Sequence, residues 1–200
     1  MTKRTKITLI HATAFVIVML VFQALIFRGS VKTLTHNDFT KQRNLTTLTK
    51  TYKPFQETIN NYIVTMKLPE ATEVHRSPDQ GENMQFSLYF VNSELAFRGY
   101  VQVWKVNDLD RFLSDSKSFS PFDYRSYSIS KVQQNNYQGL LTEWTANLGQ
   151  NLISGKEYWL RINSEEVARV SFFTDTAEFP TELQDMTQQI TNSFKVNKSH

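Results

Sequence analysis

The longest apolar run in the chain extends from Ile7 to Phe27. It holds 21 residues and no charge, with Thr8, His11, Thr13 and Gln23 as its polar members. At 1.5 Å per residue such a helix reaches about 31 Å, close to the thickness of a bilayer's hydrocarbon core. A cleaved signal peptide has a shorter apolar core and small residues before its cut. This run instead ends Leu25-Ile26-Phe27-Arg28, so the pattern predicts a retained single span over 7–27, preceded by a cytoplasmic tail, 1–6. Lys3, Arg4 and Lys6 favour an inside N-terminus, and Arg28 and Lys32 weaken that asymmetry. His11 lies one turn inside the basic end, where it can stay neutral and reach the headgroups.

Beyond the span, residues 28–53 are rich in Thr, Lys and Asn, with Leu34, Phe39, Leu45 and Leu48 sparse among them. This composition reads as a polar stalk. Residues 54–200 then form the soluble domain. Phe55, Ile59, Tyr62 and Ile63 recur at helical spacing after Pro54, which predicts a short helix. Pro69 and Ser77-Pro78-Asp79-Gln80-Gly81 mark loops.

From Gln85 the period changes to two. Phe86, Leu88 and Phe90 share one face of a strand over Gln85–Val91. Phe97–Val106 is apolar on both faces, which places it inside a sheet. Asn107 or Asp108 can cap a helix whose core face is Leu109, Phe112 and Leu113, ending before Ser120-Pro121. Four further strands are expected at Tyr124–Gln134, Tyr137–Leu148, Lys156–Ile162 and Val167–Thr174. Asn135-Asn136 and Asn163-Ser164-Glu165-Glu166 are hairpin connections. A last helix from Phe179 to Phe194 carries Leu183, Met186, Ile190 and Phe194 on one stripe, and the tail Lys195–His200 is expected to fray. The order describes an α+β domain, an antiparallel sheet covered by helices as an α/β/α sandwich.

Charge sharpens the picture. Three of the 22 basic residues precede Arg28 and none of the 19 acidic ones do, so the remainder is neutral. Its charges alternate in sign, and a nucleic-acid partner would need a concentrated basic face. No cysteine is present, which removes disulfides, thiol chemistry and a lipid-modified anchor. His11, His36, His75 and His200 fall at no metal-ligand spacing, so neither a metal nor a cofactor is expected. Phosphate-cradling glycine motifs and a nucleophile elbow are missing as well. Asp108 with Asp110 suits a helix start, and Glu165 with Glu166 a solvated turn, better than acid–base catalysis.

The aromatic residues are the candidates for binding. Trp104, Trp144, Tyr158 and Trp159, with Tyr100 and Arg98, would mark a ligand or partner site if they shared an exposed face. As core residues they would instead fill the sheet's interior.

Three stretches together resemble the PsbP-like family, of the Mog1/PsbP fold, and more narrowly its exported members in Gram-positive bacteria. They are Arg98-Gly99-Tyr100-Val101-Gln102-Val103-Trp104-Lys105-Val106 with Asp108–Leu113, then Gly155–Leu160 with Val170–Phe173, and the closing Ile190-Thr191-Asn192-Ser193-Phe194. The resemblance covers roughly residues 62–194, on packing motifs. It implies an antiparallel sheet between helices, and a binding or assembly role in place of catalysis.

The reading that follows is a single-pass protein of the cell membrane, its C-terminal domain extracytoplasmic. It is expected to bind a protein partner or envelope component without catalytic activity. The alternative is a receptor or enzyme for a small envelope-associated ligand, with a pocket gathering Arg98, Lys105 and Asp123.

Overall fold

A computed structural model describes residues 51–77 and 83–198. The expected tail, span and nearly all of the stalk lie outside the described residues, as do His11, His36, His200 and most of the Ser77–Gly81 turn. Among the described residues no helix is long and apolar enough to cross a membrane.

The described residues fall into two compact units. Residues 108–122 belong to the first, which holds the helix α1 (Leu109–Ser118). Asp108 caps it, its Oδ1 accepting from the Arg111 N–H at 3.0 Å. Asp110 lies in its first turn and Lys117 in its last, each favourable to the helix dipole. Leu109 and Leu113 are buried and Phe112 is half-buried.

The second unit contains residues 51–107 and 123–198. Its elements are β1 (Tyr52–Ile59), β2 (Tyr62–Pro69), β3 (Glu73–Arg76), β4 (Met84–Asn92), β5 (Phe97–Lys105), β6 (Asp123–Gln134), β7 (Tyr137–Leu148), β8 (Asn151–Arg161), β9 (Glu166–Thr174), the helix α2 (Thr181–Ser193) and β10 (Lys195–Lys198). Seven strands form an antiparallel sheet in the order β3-β4-β5-β9-β8-β7-β6. β5 lies inside it, buried along both faces as the apolar groups on each of them predict. Asn135, with φ of 52°, closes the two-residue turn from β6 to β7, in the left-handed region that Asn tolerates.

Three sequence expectations are corrected. Residues Phe55–Ile63 are no helix but the ends of β1 and β2 around an Asn60-Asn61 turn, Asn60 having φ of 52°. Tyr62, Val64, Met66 and Leu68 alternate inward along β2, and this period of two continues past the short stretch that mimics helical spacing. Tyr52 and Lys53, assigned above to the stalk, open β1. The tail does not fray over Lys195–Lys198, where β10 adds to β2 and completes a second sheet, β1-β2-β10. Val196 is buried within it.

This small sheet and α2 cover one face of the large sheet. Leu183, Met186, Ile190 and Phe194 pack with Val64, Met66, Leu88, Phe90, Val101, Val170 and Phe172 in one core. Phe172 meets Phe90 at 5.7 Å and Phe97 at 6.4 Å, ring centre to ring centre. Gly99 lies opposite Phe172, where a Cβ would stand 1.8 Å from the Ser171 carbonyl oxygen, so no larger residue fits there.

Glu166 ties the two sheets together. Its carboxylate accepts from the Tyr62 hydroxyl at 2.7 Å, Asn163 Nδ2 at 2.7 Å and Lys198 Nζ at 2.9 Å. Burial opposes its charge, but those hydrogen bonds and the Lys198 charge outweigh it and hold the carboxyl below its ordinary 4.5. A depressed carboxyl contributes stability that is complete above the unfolded value and is lost as pH falls through the folded one. The stability advantage of the native protein over Glu166→Gln is therefore expected to be constant above pH 4.5 and to shrink below it. Urea midpoints of the two proteins between about pH 3 and 7 check this, and a gap that widens with acid would contradict it.

Candidate functional site

The second face of the large sheet differs in chemistry from the core face. Cross-strand register sets Ser87, Gln102, Arg169 and Trp159 in one row across β4, β5, β9 and β8. The next row is Tyr89, Tyr100, Ser171 and Glu157, and the third brings Arg98, Phe173, Gly155 and Trp144 together across β5, β9, β8 and β7. Gly155 exists for the indole beside it: a Cβ there would stand 2.4 Å from the Trp144 ring.

Polar groups on this face bind one another. Glu157 accepts from Trp144 Nε1 at 2.7 Å through one oxygen and from Arg169 Nε at 2.8 Å through the other. Gln102 accepts from Arg169 Nη1 at 3.0 Å and Trp104 Nε1 at 3.2 Å, and donates to Ser87 Oγ at 3.1 Å. The Arg169 guanidinium stands 5.1 Å from the centre of the Trp159 ring. Arg98 grips Asp175 through two nitrogens, at 2.9 and 2.6 Å. Burial pushes the Tyr100 hydroxyl up to about 12.

Five of the six residues expected at a binding site thus share a face: Arg98, Tyr100, Trp104, Trp144 and Trp159. All five are buried, the three indoles at 4–5% exposure. Tyr158 is on the opposite face, edge-on to Phe172 in the core. Arg98, Lys105 and Asp123 do not converge. Arg98 and Lys105 are seven residues apart on one strand, about 23 Å. Asp123 is at the start of β6, four strands from β5, where it accepts from Asn147 Nδ2.

Accessible chemistry lies instead around β6, the long edge of the sheet. Eleven of its twelve residues pair with β7, its one neighbour among the described strands, whereas the other edge strand, β3, has four residues. A bulge at Tyr124–Ser126 makes Arg125 the extra residue, and from Ser126 to Gln134 the register is unbroken. Ile129, at 44% exposure, is one of two large apolar residues among those described that stand out in solvent. At Ser126–Ser128 of the same strand opens a cleft of about 280 Å³, whose lining also includes Glu143, Thr145, Glu178 and Phe179. Glu143 is paired there with Lys156 at 3.0 Å, and the Ser126 and Thr145 hydroxyls lie 2.9 Å apart. Sequence reasoning missed this region, although Ser126-x-Ser128-x-Ser130 already shows three successive positions on one face of β6 with no apolar residue.

No protein-family model matches the chain, and no curated protein does. Among solved structures it is similar to cyanobacterial PsbP from Synechocystis, with a TM-score of 0.48 and 11% identity over 73% of this chain and 92% of that one. A Bacteroides thetaiotaomicron protein gives a TM-score of 0.45 and 12% identity over 68% of this chain. The match spans 45% of that protein's length. PA94 of Pseudomonas aeruginosa gives 0.36 and 9%, over 68% of this chain and 95% of its own.

Proposed function

We propose that the chain is a single-pass, membrane-anchored binding or assembly module without catalytic activity, its PsbP-like domain extracytoplasmic and receiving a protein partner along β6. The anchor rests on the apolar run Ile7–Phe27 and the basic residues before it. The PsbP-like, α/β/α reading rests on the three stretches that resemble that family. The expected strand followed by a helix corresponds to β5 and α1, the strand pair to β8 and β9, and the closing helix to α2.

The observation that carries the binding role is the β6 edge. A strand with one neighbour presents a row of backbone donors and acceptors to which another extended segment can add. Here that row is long, regular beyond its bulge, and carries an exposed isoleucine. Behind it, Trp144 stands opposite Tyr127 and is fixed by Glu157, so the edge is backed by a braced layer.

A photo-crosslinking residue at position 129 of the full-length chain, in its own membrane, tests the reading. A discrete protein adduct is expected there and not from exposed Glu182 on α2. Equal labelling at both sites, or none at 129, would overturn it. The second reading, a receptor or enzyme for a small envelope-associated ligand, is favoured by the cleft beside β6, where two carboxylates, hydroxyls and Phe179 meet.

A further inference from the structure

We propose that the segment added to β6 is β6 of a second copy of this chain, antiparallel and centred on Ile129. The proposal rests on the binding role of this edge and names its partner.

A two-fold axis perpendicular to the sheet joins like edges and makes the contact self-complementary. It also requires opposed residues to share a face, so the axis must pass through a residue. Five residues in the middle of β6 can take that place, and four fare badly. Centring on Tyr127 sets Arg125, the extra residue of the bulge, against Ile129 of the second copy. Centring on Ser128 opposes Arg125 to Lys131, like charges across a strand pair. Centring on Ser130 sets the Ile129 side chain against the Lys131 ammonium, and centring on Lys131 opposes that charge to itself.

Centring on Ile129 avoids all of these. The exposed isoleucine meets its own counterpart and leaves water. Tyr127 lies opposite Lys131 of the second copy on the same face, a favourable cation–aromatic pair formed twice. Ser128 lies opposite Ser130 on the other face, where their hydroxyls can bond. The whole contact falls within the regular run after the bulge. The bulge and Lys131 thus do more than blunt the edge: they exclude the other registers. From Arg28 onward the chain is neutral, so no long-range repulsion keeps two copies apart. One added strand buries less than a standard interface, so the pair is weak in dilute solution. Anchoring both copies in one membrane raises their effective concentration.

The chain has no cysteine, so one introduced thiol reports its own position. Ile129→Cys in the full-length, membrane-embedded chain is expected to form a disulfide dimer on mild oxidation. In the proposed register the two 131 positions stand four residues apart, about 13 Å. Lys131→Cys alone is therefore expected to give roughly tenfold less dimer, since a disulfide needs neighbouring Cβ atoms. Co-expressed Tyr127→Cys and Lys131→Cys chains should restore a mixed dimer. Dimer from Lys131→Cys exceeding that from Ile129→Cys would overturn the register. Suppose no position from 126 to 132 yields dimer, while a photo-crosslinker at 129 captures a different protein. The homotypic pairing then falls and the binding role of the edge stands. If neither reagent yields any adduct, both fall.

Discussion

Glu157→Ala is expected to destabilise the protein by about 3–5 kcal/mol, because it strands a buried guanidinium without its counter-charge. The side chains of Arg169 and Glu157 are 12% and 8% exposed and meet at 2.8 Å. Trp144 would lose its acceptor by the same change. The pair itself adds little net stability, since taking both charges out of water offsets most of their attraction. The double replacement Glu157→Leu with Arg169→Met is therefore expected to recover most of the loss. All three tryptophans lie on this face, so urea unfolding followed by their fluorescence reads the site directly. A single replacement costing under about 1 kcal/mol would mean that water already reaches the pair.

Phe172→Ala is expected to cost a similar amount, about 3–5 kcal/mol, by a different mechanism. Phe172 is fully buried, and its ring stands 5.7 Å from Phe90, 6.4 Å from Phe97 and 6.3 Å from Tyr158. Strands on three sides hold those neighbours in register, so they cannot collapse into the space left behind. The loss should appear as a lower denaturant midpoint with an unchanged slope. A fall of under about 1 kcal/mol would show that the aromatic cluster repacks, as loosely constrained cores do.

β5 was legible by apolar groups on both of its faces, and β4 because one face must stay dry, a requirement that writes a period of two into the chain. Phe86, Leu88 and Phe90 show it on β4, and all three enter the core. The stripe of Leu183, Met186, Ile190 and Phe194 was legible for the corresponding reason at helical period, and all four are buried. The hairpin of β1 and β2 was misread because Phe55, Ile59, Tyr62 and Ile63 fit helical spacing across a turn. β10 was missed because four residues of largely polar sequence carry no pattern of their own, and only the edge of β2 gives them partners.

Nothing in the spacing of Glu157 and Arg169 announces a buried pair, since it arises between neighbouring strands β8 and β9. The same holds for Glu166, which gathers donors from β2, β10 and the loop before β9. Trp104, Trp144 and Trp159 stood out by type, but their common face depends on the order in which the strands pair.

The sequence by itself determined the apolar run, the neutral remainder, the absence of thiol chemistry and most of the strands, because each follows from composition or from a short period. Only the tertiary structure decided that β6 is an edge among the described strands, that Ile129 on it stands in water, and that the tryptophans share a buried face with an ion pair. These depend on which strands become neighbours, and long-range pairing is fixed by the summed fit of many side chains across the sheet rather than by any local run of residues.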